Sequence, residues 1–516
     1  MKALETSASR LLCLLLLGCS GPNEATETYE PAREPLTRAS ELSVMTFNIF
    51  YGGDELDLTT GEFCEVSDGC QETFTHVVDA IRTAGPDVVG VQEPERNTVR
   101  LAEALGWYAD ERNHVISRFP IIDPPGGDGI FVFVEVAKGR VAAVANVHLP
   151  SDPYGPYLVR DGGRRNELEA LERSVRLPAI ERQVRVLPRL AAQGVPVILT
   201  GDFNSPSHLD WTRAVARVRP EVKYPFVWPV SKALADAGLR DTYRAVHPNP
   251  VATPGFTWTP GGPESDAHEV HDRIDWVLTG GPITPLESAI VGETAGPNVD
   301  IELSPYPSDH RGVVSRLGLR AAPMPVLVAV SQRRLLAGDS LSVRFHALDD
   351  RARDVVLARD GRAEATRGTG SRQDGTIAFE TRGLRPGAYE AKLVERGRTL
   401  AMIPFWLYPP NTEPSVAVEA RRYGVGQPID VSWRAAPGRR FDWLAVFRCD
   451  AGSCAENSDY LVYRYIDAAI EGHATIGADA QDGAETWPLP AGRYVVRLLT
   501  DDSYEDVATS RTFTIE

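Results

Sequence analysis

The sequence predicts an α/β domain over about residues 42–320, followed by two all-β modules. Three observations lead to this prediction. Strand-like and helix-like patterns alternate up to about residue 320, which is typical of α/β domains. Beyond that point no long helical pattern remains, and short alternating runs dominate. A chain of 516 residues with 43% hydrophobic content is also long enough for about three globular domains.

The elements of the first domain follow from hydrophobic periodicity and from stop signals. The first helix places Val77, Val78 and Ile81 on one face and stops at a Gly-Pro pair, a common helix end. We expect Pro178 and Pro188 to kink or split the longest helix. The predicted strands cover residues 42–47, 88–91, 129–136, 141–147, 195–200, 272–278 and 312–317, and the predicted helices cover residues 75–84, 98–105 and 166–193.

A weak internal repeat divides the part of the chain after residue 320. The similar pairs of segments are 326–330 with 415–418, 338–345 with 426–433, and 385–393 with 490–498. Each unit is about 90–100 residues long, a natural size for a β-sandwich. We therefore predict sandwich modules over residues 321–411 and 412–516.

The first 41 residues indicate targeting rather than folded structure. Residues 11–17 form an apolar run that is too short to span a bilayer. The run ends in Leu-Leu-Gly-Cys19, which resembles a bacterial lipobox. This resemblance implies removal of a signal peptide over residues 1–18, lipidation of Cys19, and sorting to the outer membrane of the bacterial envelope. Residues 19–41 are polar and predict a flexible tether. An ordinary signal peptide with a chance cysteine is the alternative.

Composition limits the partners of this protein. The net charge is −17 and the sequence pI about 5.2, which disfavours a broad basic face for nonspecific duplex binding. Apart from the short targeting run, the sequence contains no apolar stretch long enough for a transmembrane helix. We expect contact with the membrane through the N-terminal lipid alone, and a monomeric protein.

Four cysteines outside the targeting segment form two close pairs, Cys64 with Cys70 and Cys449 with Cys454. Four cysteines allow three connectivities, of which local pairing is the simplest. A zinc site with four convergent ligands is the alternative, but the two pairs fall in different predicted domains. We therefore predict two local disulfides, which are usual in exported proteins.

Six short polar signatures are attached to strand-like runs of the first domain. They are, in chain order, Thr46-Phe47-Asn48, Gln92-Glu93, Asn146-Val147-His148, Gly201-Asp202-Phe203-Asn204, Arg273-Ile274-Asp275-Trp276 and Ser308-Asp309-His310. Together they resemble the endonuclease/exonuclease/phosphatase family of metal-dependent phosphoesterases, over roughly residues 42–320. The resemblance implies an α/β (α+β) four-layer sandwich, with two packed β-sheets flanked by helices. It places the active site at one rim of the sheets, where polar groups at strand ends can converge.

The same resemblance assigns a metal site and a nucleophile. Glu93 would bind Mg²⁺, with Mn²⁺ or Ca²⁺ as alternatives, and Asn48 beside it would contact the metal or the phosphate. Hard divalent cations prefer such oxygen ligands. Asp202 would orient or activate the attacking water, and Asn204 would donate to the phosphate.

Two histidines complete the implied catalytic set. His310 would contact the phosphate and help to handle the water proton, with the Asp309 carboxylate fixing its tautomer and charge. His148 would donate to a phosphate or leaving oxygen, and the division of acid and base roles between the two imidazoles stays open. Asp275 would support the histidine side of the site. Asp272 competes for that role through an Asp-Arg-Ile variant of the signature, and we favour Asp275.

Two loops lie outside these signatures. The loop after His148 carries Tyr154, Tyr157 and Arg160, which we predict to bind substrate by stacking and charge pairing. A packed loop of prolines and tyrosines is the alternative. The acidic loop 52–73 would wall the site or bind calcium, or is simply part of the surface.

The sequence therefore predicts an exported, lipid-anchored, Mg²⁺-dependent hydrolase of phosphoester bonds. Nucleic acid, phospholipid and small phosphoesters stay open as substrates. The alternative is a non-catalytic surface-binding lipoprotein that uses the same fold as a scaffold. We expect the sandwich modules to act as spacers that add stability, or to bind a partner.

Overall fold

A computed structural model describes residues 40–58, 60–64, 69–258, 269–450 and 453–516. The predicted signal peptide, Cys19 and nearly all of the predicted tether lie outside the described residues. No helix in the described part of the chain is long and apolar enough to cross a membrane.

Strands and helices alternate in the first part of the chain. Its strands are β1 Ser40–Asn48, β2 Val88–Gln92, β3 Tyr108–Asp110, β4 Val115–Ser117, β5 Ile121–Ile122, β6 Val132–Ala137, β7 Arg140–His148, β8 Val197–Asp202, β9 Arg240–Asp241, β10 Asp275–Gly280, β11 Ile283–Glu293, β12 Ile301–Leu303, β13 Gly312–Leu319 and β14 Ala322–Pro323. Its helices are α1 Gln71–Ala84, α2 Thr98–Leu105, α3 Gly155–Arg160, α4 Arg165–Ala192, α5 Pro229–Asp236 and α6 Thr242–Val246, with short 3₁₀ turns at Tyr51–Gly53 and Val215–Arg217.

The strands form two seven-stranded sheets that pack face to face. The first sheet has the order β12-β11-β13-β1-β2-β4-β3, and the second has the order β5-β6-β7-β8-β10-β9 with β14 added beside β7. Valines and isoleucines such as Val44, Val144 and Ile198 fill the space between the sheets. Burial of these apolar side chains is the main favourable term that holds the two sheets together.

Helices cover the outer face of each sheet. Val77 and Ile81 of α1 pack on Val89 and other residues of the first sheet. Ile180 and Leu187 of α4 pack on the second sheet in the same way. The result is a four-layer α/β sandwich, so the predicted fold class of the first domain is confirmed.

Helix α4 differs from the prediction in its continuity. Pro178 and Pro188 both lie inside it, yet it runs as one helix from residue 165 to 192. Helix α1 ends where the sequence predicts, because Gly85 takes a left-handed conformation with φ 66° and its N–H binds the carbonyl of Ile81. Glycine adopts this conformation without the steric cost of a Cβ atom.

The register of the strands brings polar strand ends to one rim. Strands β1 and β2 are parallel, with Asn48 opposite Gln92. Strands β7 and β8 are also parallel, with His148 opposite Asp202, and the antiparallel neighbour β10 places Asp275 opposite the same Asp202. The signatures that are distant in sequence therefore meet at one end of the sandwich.

Two all-β sandwiches follow, which confirms the second half of the predicted fold class. The strands are β15 Leu327–Val330, β16 Arg334–Leu336, β17 Ser340–His346, β18 Arg353–Arg359, β19 Arg362–Gly370, β20 Asp374–Glu380, β21 Gly387–Glu395, β22 Arg398–Tyr408, β23 Ser415–Val418, β24 Arg422–Tyr423, β25 Ile429–Arg434, β26 Trp443–Asp450, β27 Ser453–Cys454, β28 Val462–Tyr465, β29 Gly472–Ile476, β30 Gln481–Asp482, β31 Gly492–Leu499, β32 Asp506–Thr509 and β33 Phe513–Ile515. Strands β15–β22 form a three-stranded and a five-stranded sheet, and β23–β33 form a three-stranded and an eight-stranded sheet. The exact predicted boundaries between the domains stay predictions.

Both predicted disulfides are present. Cys64 is bonded to Cys70, and Cys449 to Cys454. The first closes the acidic loop before α1, and the second joins β26 to β27. The alternative of a zinc site built from these four cysteines is therefore excluded.

The second sandwich is docked against the α/β domain. Arg112 donates to the carbonyl of Gly438 at 2.8 Å, and Arg440 donates to the carbonyl of Gly129 at 2.9 Å. The Arg439 guanidinium also binds the Glu111 carboxylate at 3.0 Å. These contacts bring the turn between β31 and β32 over the rim at which the strand ends converge.

Candidate active site

A cavity of about 350 Å³ opens at this rim. Its walls come from the strand ends of the α/β domain, from the loop after β7 and from the second sandwich. The predicted site residues that line it are Glu93, His148, Tyr154, Tyr157, Asp202, Asn204, Asp309 and His310. The structure therefore brings together residues that lie up to 217 positions apart in the sequence.

Glu93 stands at the end of β2 in a fixed orientation. Its backbone has φ 52°, a left-handed conformation that non-glycine residues rarely adopt and that is often found at functional sites. One carboxylate oxygen accepts from Asn48 Nδ2 at 2.9 Å, and the other accepts from the backbone N–H of Tyr51 at 3.1 Å. The Asn48 side chain is fully buried and its Oδ1 accepts from the Phe50 N–H at 3.0 Å. Asn48 therefore presents its nitrogen, not its oxygen, to Glu93.

Asp202 lies at the centre of the cluster. Its Oδ1 accepts from the backbone N–H of Asn204 at 2.8 Å, and its Oδ2 accepts from Asn48 Nδ2 at 3.2 Å. Asn204 also has a left-handed backbone, with φ 46°, and its Nδ2 donates to the carbonyl of Leu149 at 3.0 Å. The turn after β8 is thus held by side-chain hydrogen bonds that leave the Asp202 carboxylate facing the two imidazoles.

His310 is oriented by Asp275. The His310 Nδ1 atom is 3.0 Å from Asp275 Oδ2, and its Nε2 atom is 3.6 Å from Asp202 Oδ2. Burial alone would lower the pKa of His310, but the charges of Asp275 and Asp202 and the hydrogen bond to Asp275 raise it well above 6.5. The two carboxylates beside the imidazole therefore favour its protonated form.

Asp309 does not fix His310, so the expectation that these neighbours form the dyad is wrong. Consecutive side chains point in different directions in an extended segment, and Asp309 turns into the cavity instead. Burial raises its pKa to about 7. Asp309 Oδ1 is buried and has no hydrogen-bond partner among the described residues.

Asp272 lies away from the imidazoles. Its Oδ1 accepts from Trp211 Nε1 at 2.9 Å and lies 3.6 Å from the Arg219 guanidinium. Burial raises the pKa of Asp272 to about 7. Of the two competing aspartates, Asp275 is the one that contacts His310.

The second imidazole takes its partner from the second sandwich. His148 Nδ1 is 2.8 Å from Asp502 Oδ2, while its Nε2 atom lies 3.7 Å from Asp202 Oδ2 and 3.8 Å from Glu93 Oε1. Burial would lower the pKa of His148, but the hydrogen bond and the charge of Asp502, helped by Asp202 and Glu93, raise it to about 9. Each imidazole thus has Nδ1 anchored to one carboxylate and Nε2 directed at Asp202.

The loop after His148 forms one wall of the cavity. Tyr154 is almost completely buried, and its ring lies edge-on against Tyr157 with centroids 4.9 Å apart. The Tyr157 hydroxyl donates to Glu269 at 3.0 Å. Arg160 binds Asp161 at 2.8 Å and lies over the Tyr157 ring, and it is not among the cavity-lining residues. The substrate-binding roles of these three residues stay predictions.

The acidic loop before α1 is tied to the fold by a salt bridge. Asp54, an acidic residue of this loop, pairs with Arg100 of α2. Tyr51, at the start of this loop, lines the cavity together with Phe50. Burial raises the pKa of the Tyr51 phenol to about 12. The loop therefore contributes a wall of the cavity through its first residues.

The potential metal-ligand atoms at the rim are of the kind that a divalent cation binds. Ligand atoms of Asp202, Asp275 and His310 lie within 4.8 Å of one another. Glu93 and the unpartnered Asp309 Oδ1 face the same cavity. Oxygen-rich sets of this kind are those that Mg²⁺ and Mn²⁺ prefer. For coordination by Asn48, its amide must turn so that Oδ1 replaces Nδ2.

Sequence reasoning missed the contribution of the second sandwich. Asp502 pairs with His148, and five aromatic residues of this module line the cavity. They are Trp443, Tyr460, Tyr463, Tyr465 and Tyr504. The dense tyrosines of 460–465 and the Asp-Asp-Ser-Tyr segment 501–504 are unusual on a spacer module, and were the available signal.

Several known proteins are similar to the α/β part of this chain. The model of the Endonuclease/Exonuclease/phosphatase family matches residues 45–310. An uncharacterized protein of Caenorhabditis elegans is 30% identical over 298 residues, which are 53% of this chain and 90% of that protein. Similar solved structures include a humanized Danio rerio TDP2 (18% identity, 54% of this chain and 98% of that chain, TM-score 0.32). An AP endonuclease from Archaeoglobus fulgidus (15%, 53% and 98%, TM-score 0.34) and a mannosyl-6-phosphatase from Bacteroides thetaiotaomicron (16%, 54% and 99%, TM-score 0.29) are also similar.

Proposed function

We propose that this chain, which belongs to the Endonuclease/Exonuclease/phosphatase family, hydrolyses phosphoester bonds with the help of a divalent cation, in the first place Mg²⁺. The observation that carries the proposal is the arrangement around Asp202. Two anchored imidazoles approach its carboxylate at 3.6 and 3.7 Å, and Glu93 lies beside them. A carboxylate and two N–H donors around one small cavity are the groups that addition of water to a phosphoryl centre requires.

The chain's own residues divide the reaction between them. Asp202 orients a water and accepts its proton while the water oxygen forms a bond to phosphorus. The Nε2 atoms of His310 and His148 face the same space and donate to the phosphoryl and leaving oxygens. The bond from phosphorus to the leaving oxygen then breaks, and that oxygen takes up the proton that one of the two imidazoles donates. The cation, when bound by Glu93 and its neighbours, would stabilise the negative charge that develops on the phosphoryl oxygens.

The test is turnover by the purified protein lacking residues 1–19. It is assayed with Mg²⁺ or Mn²⁺ against bis-p-nitrophenyl phosphate, p-nitrophenyl phosphate, plasmid DNA and sphingomyelin. We expect hydrolysis that falls by at least roughly 10³-fold in Glu93→Gln, since a metal ligand is lost. The matched control is Glu103→Gln, an exposed glutamate on α2, which should retain full turnover. Equal activity of the wild type and Glu93→Gln would refute the site assignment.

We also propose that the protein is exported and held at the bacterial outer membrane by a lipid on Cys19. The support is the Leu-Leu-Gly-Cys19 segment after a short apolar run. Cys19→Ala should move the protein from the membrane to the soluble fraction on cell fractionation. The matched control is Cys13→Ala, which alters a cysteine inside the same apolar run and should leave the protein in the membrane fraction. Retention of the Cys19→Ala protein on membranes would refute the anchor.

A further inference from the structure

The turn between β31 and β32 has an unusual backbone. Asp501 and Asp502 are consecutive, and both take the left-handed conformation, with φ 59° and 64°. Two adjacent non-glycine residues in this region carry a conformational cost that the surrounding structure must offset. The module supplies that support: the Asp502 N–H donates to the carbonyl of Phe441 at 3.0 Å, and the Asp501 N–H donates to Asp442 Oδ1 at 3.1 Å.

The strained turn directs two carboxylates into the catalytic domain. Asp501 pairs with the fully buried His114, and Asp502 pairs with His148 of the candidate site. The other oxygen of Asp502 accepts from the Tyr465 hydroxyl. A hydrogen-bonded chain therefore runs from Tyr465 through Asp502 to His148. Asp502 does for His148 what Asp275 does for His310: it holds Nδ1 so that Nε2 faces Asp202.

The same module builds an aromatic wall opposite the strand ends. Trp443 is buried and supports two tyrosines edge-on, with ring centroids 5.1 Å away for Tyr460 and 5.6 Å away for Tyr463. Tyr504 stacks beside Tyr460 at 6.4 Å and is 43% exposed. All four rings line the cavity. Such a surface offers apolar faces and phenol hydroxyls together, which suits a ring-bearing organic group.

The charges around the cavity limit what that group can be. Among the described residues that line it, acidic side chains are Glu93, Glu95, Asp152, Asp202, Asp309 and Asp502, and none is a lysine or an arginine. Proteins that bind nucleic acid strands neutralise successive phosphates with lysine and arginine. One phosphoryl group can be held by the cation and the imidazoles, but further phosphates along a strand would meet carboxylates. A cavity of about 350 Å³ also corresponds to a small ligand.

We propose that the second β-sandwich completes the active site. Asp502 is a positioning residue for His148. The wall of Tyr460, Tyr463 and Tyr504 is the subsite for the organic group of a small phosphoester. That organic group contains a ring and carries no further negative charge. This inference rests on the proposed hydrolysis of phosphoesters, and it adds a substrate class and a role for a module outside the family match, which ends at residue 310.

The subsite is tested with substrates that differ in the organic group only. Three proteins are compared: the wild type, Tyr504→Ala and the control Tyr108→Ala, which alters an exposed tyrosine of β3. Each is assayed on cyclohexyl phosphate and methyl phosphate, and on the diesters in which each of these carries an additional methyl group. We expect a preference for the cyclohexyl esters, with KM raised about tenfold in Tyr504→Ala, the factor that corresponds to roughly 1.4 kcal/mol. The KM of Tyr504→Ala for the methyl substrates should not rise in this way. The KM of Tyr108→Ala for the cyclohexyl esters should also stay at the wild-type value. An unchanged cyclohexyl KM in Tyr504→Ala would overturn the subsite.

The positioning role of Asp502 is tested by measuring kcat and KM separately for variants of this turn. Asparagine tolerates the left-handed conformation, so Asp502→Asn keeps the turn but removes the anionic partner of His148. We expect kcat on the preferred ester to fall roughly 10²-fold with KM nearly unchanged, the scale of a lost proton-transfer contribution. Asp501→Asn removes the neighbouring contact with His114 and should keep kcat within about threefold of wild type. Equal losses of kcat in both variants would mean that docking alone matters, and would overturn the positioning role.

An assay on DNA distinguishes the failure of this inference from the failure of the proposed function. The same proteins are assayed on a single-stranded oligonucleotide with Mg²⁺ or Mn²⁺. If the oligonucleotide is cleaved in a Glu93-dependent manner and the small esters are not, phosphoester hydrolysis stands and the small-ring subsite is overturned. If no ester and no oligonucleotide is hydrolysed, both proposals fall together.

Discussion

At the scale of single residues, the candidate site consists of two similar imidazole units that meet at one carboxylate. The Nδ1 atoms of His310 and His148 contact Asp275 and Asp502 at 3.0 and 2.8 Å. Sequence signatures identified both histidines and favoured Asp275 over Asp272. They gave the wrong partner for His310, because chain neighbours such as Asp309 do not share a direction.

The two competing aspartates give the first prediction. Asp275→Asn removes the anionic partner of His310, so we expect turnover to fall by roughly 10²-fold or more. Asp272→Asn should retain turnover, because Asp272 accepts from Trp211 and does not contact either imidazole. The measurement is kcat on the preferred substrate for both variants. If Asp272→Asn loses as much activity as Asp275→Asn, the choice between the two aspartates is reversed.

Asp272 also predicts a dependence of stability on pH. Burial raises its pKa from 3.8 to about 7, so the folded protein keeps this proton over a range in which the unfolded chain releases it. The folded state binds more protons between about pH 4 and 7, and its stability therefore falls as the pH rises through this window. Asp272→Asn removes this loss of stability. The free energy of unfolding of the variant, relative to that of the wild type, should therefore rise by about 3 kcal/mol from pH 4.5 to pH 7.5. Urea unfolding at the two pH values measures the difference, and a constant difference would contradict the assignment.

At the scale of elements, helix α4 connects the two loops that carry the site. Arg176 and Glu172 are fully buried one turn apart, with 2.8 Å between their charged groups. Arg176 also donates to the carbonyls of Ser151 and Pro153 at 2.7 Å, and Glu172 accepts from Ser205 at 3.0 Å. One buried ion pair therefore positions both the loop after His148 and the turn after Asp202.

Glu172→Ala should destabilise the protein strongly, because Arg176 would remain buried without its partner. Loss of one member of a buried pair typically costs about 3–5 kcal/mol. The matched control on the same helix is Glu169→Ala, which breaks the exposed pair with Arg173 and should change the free energy of unfolding by less than about 0.5 kcal/mol. Chemical unfolding of the two variants makes the comparison. Similar small effects would show that the buried pair does not hold the loops.

The elements of the α/β domain were largely predictable from the sequence. The 3.6-residue period and a glycine stop gave the end of α1 at Ala84, and α2 coincides with its predicted residues 98–105. Helix α4 was expected to kink or split at its prolines, yet it is continuous. Packing of Ile180 and Leu187 against the second sheet offsets the lost backbone hydrogen bonds. The sequence around a proline does not report such tertiary support.

At the scale of the whole molecule, the docking of the second sandwich is the part that sequence reasoning could not supply. Short-range patterns identified the sandwiches, but the pairing of His148 with Asp502 spans 354 positions. Its geometry depends on contacts such as that of Arg112 with Gly438. No periodicity or motif records which face of a module rests on its neighbour. A role as spacer was therefore the natural reading of the sequence, and the structure adds a role at the cavity.

The cluster of carboxylates at the rim predicts that a divalent metal ion stabilises the folded protein. Glu93, Asp202 and Asp309 face one cavity, and their mutual repulsion is relieved when a divalent cation binds the folded state. A ligand at 100 times its Kd stabilises by about 2.7 kcal/mol. We expect Mg²⁺ or Mn²⁺ to raise the Tm of EDTA-treated protein, and to have no such effect on Glu93→Gln. Glu103→Gln should respond like wild type, and an equal shift in Glu93→Gln would contradict the metal site.

The order of synthesis gives the pairing of His148 with Asp502 a further consequence. A growing chain emerges N-terminus first, at about 5–20 residues per second. The 354 positions between these residues correspond to a delay on the order of 20–70 s. In the later part of that interval, once residue 323 has been made, the α/β domain has all of its own strands but His148 lacks its carboxylate. If Asp502 has the proposed positioning role, full hydrolytic activity is expected only after the last module has been made and docked.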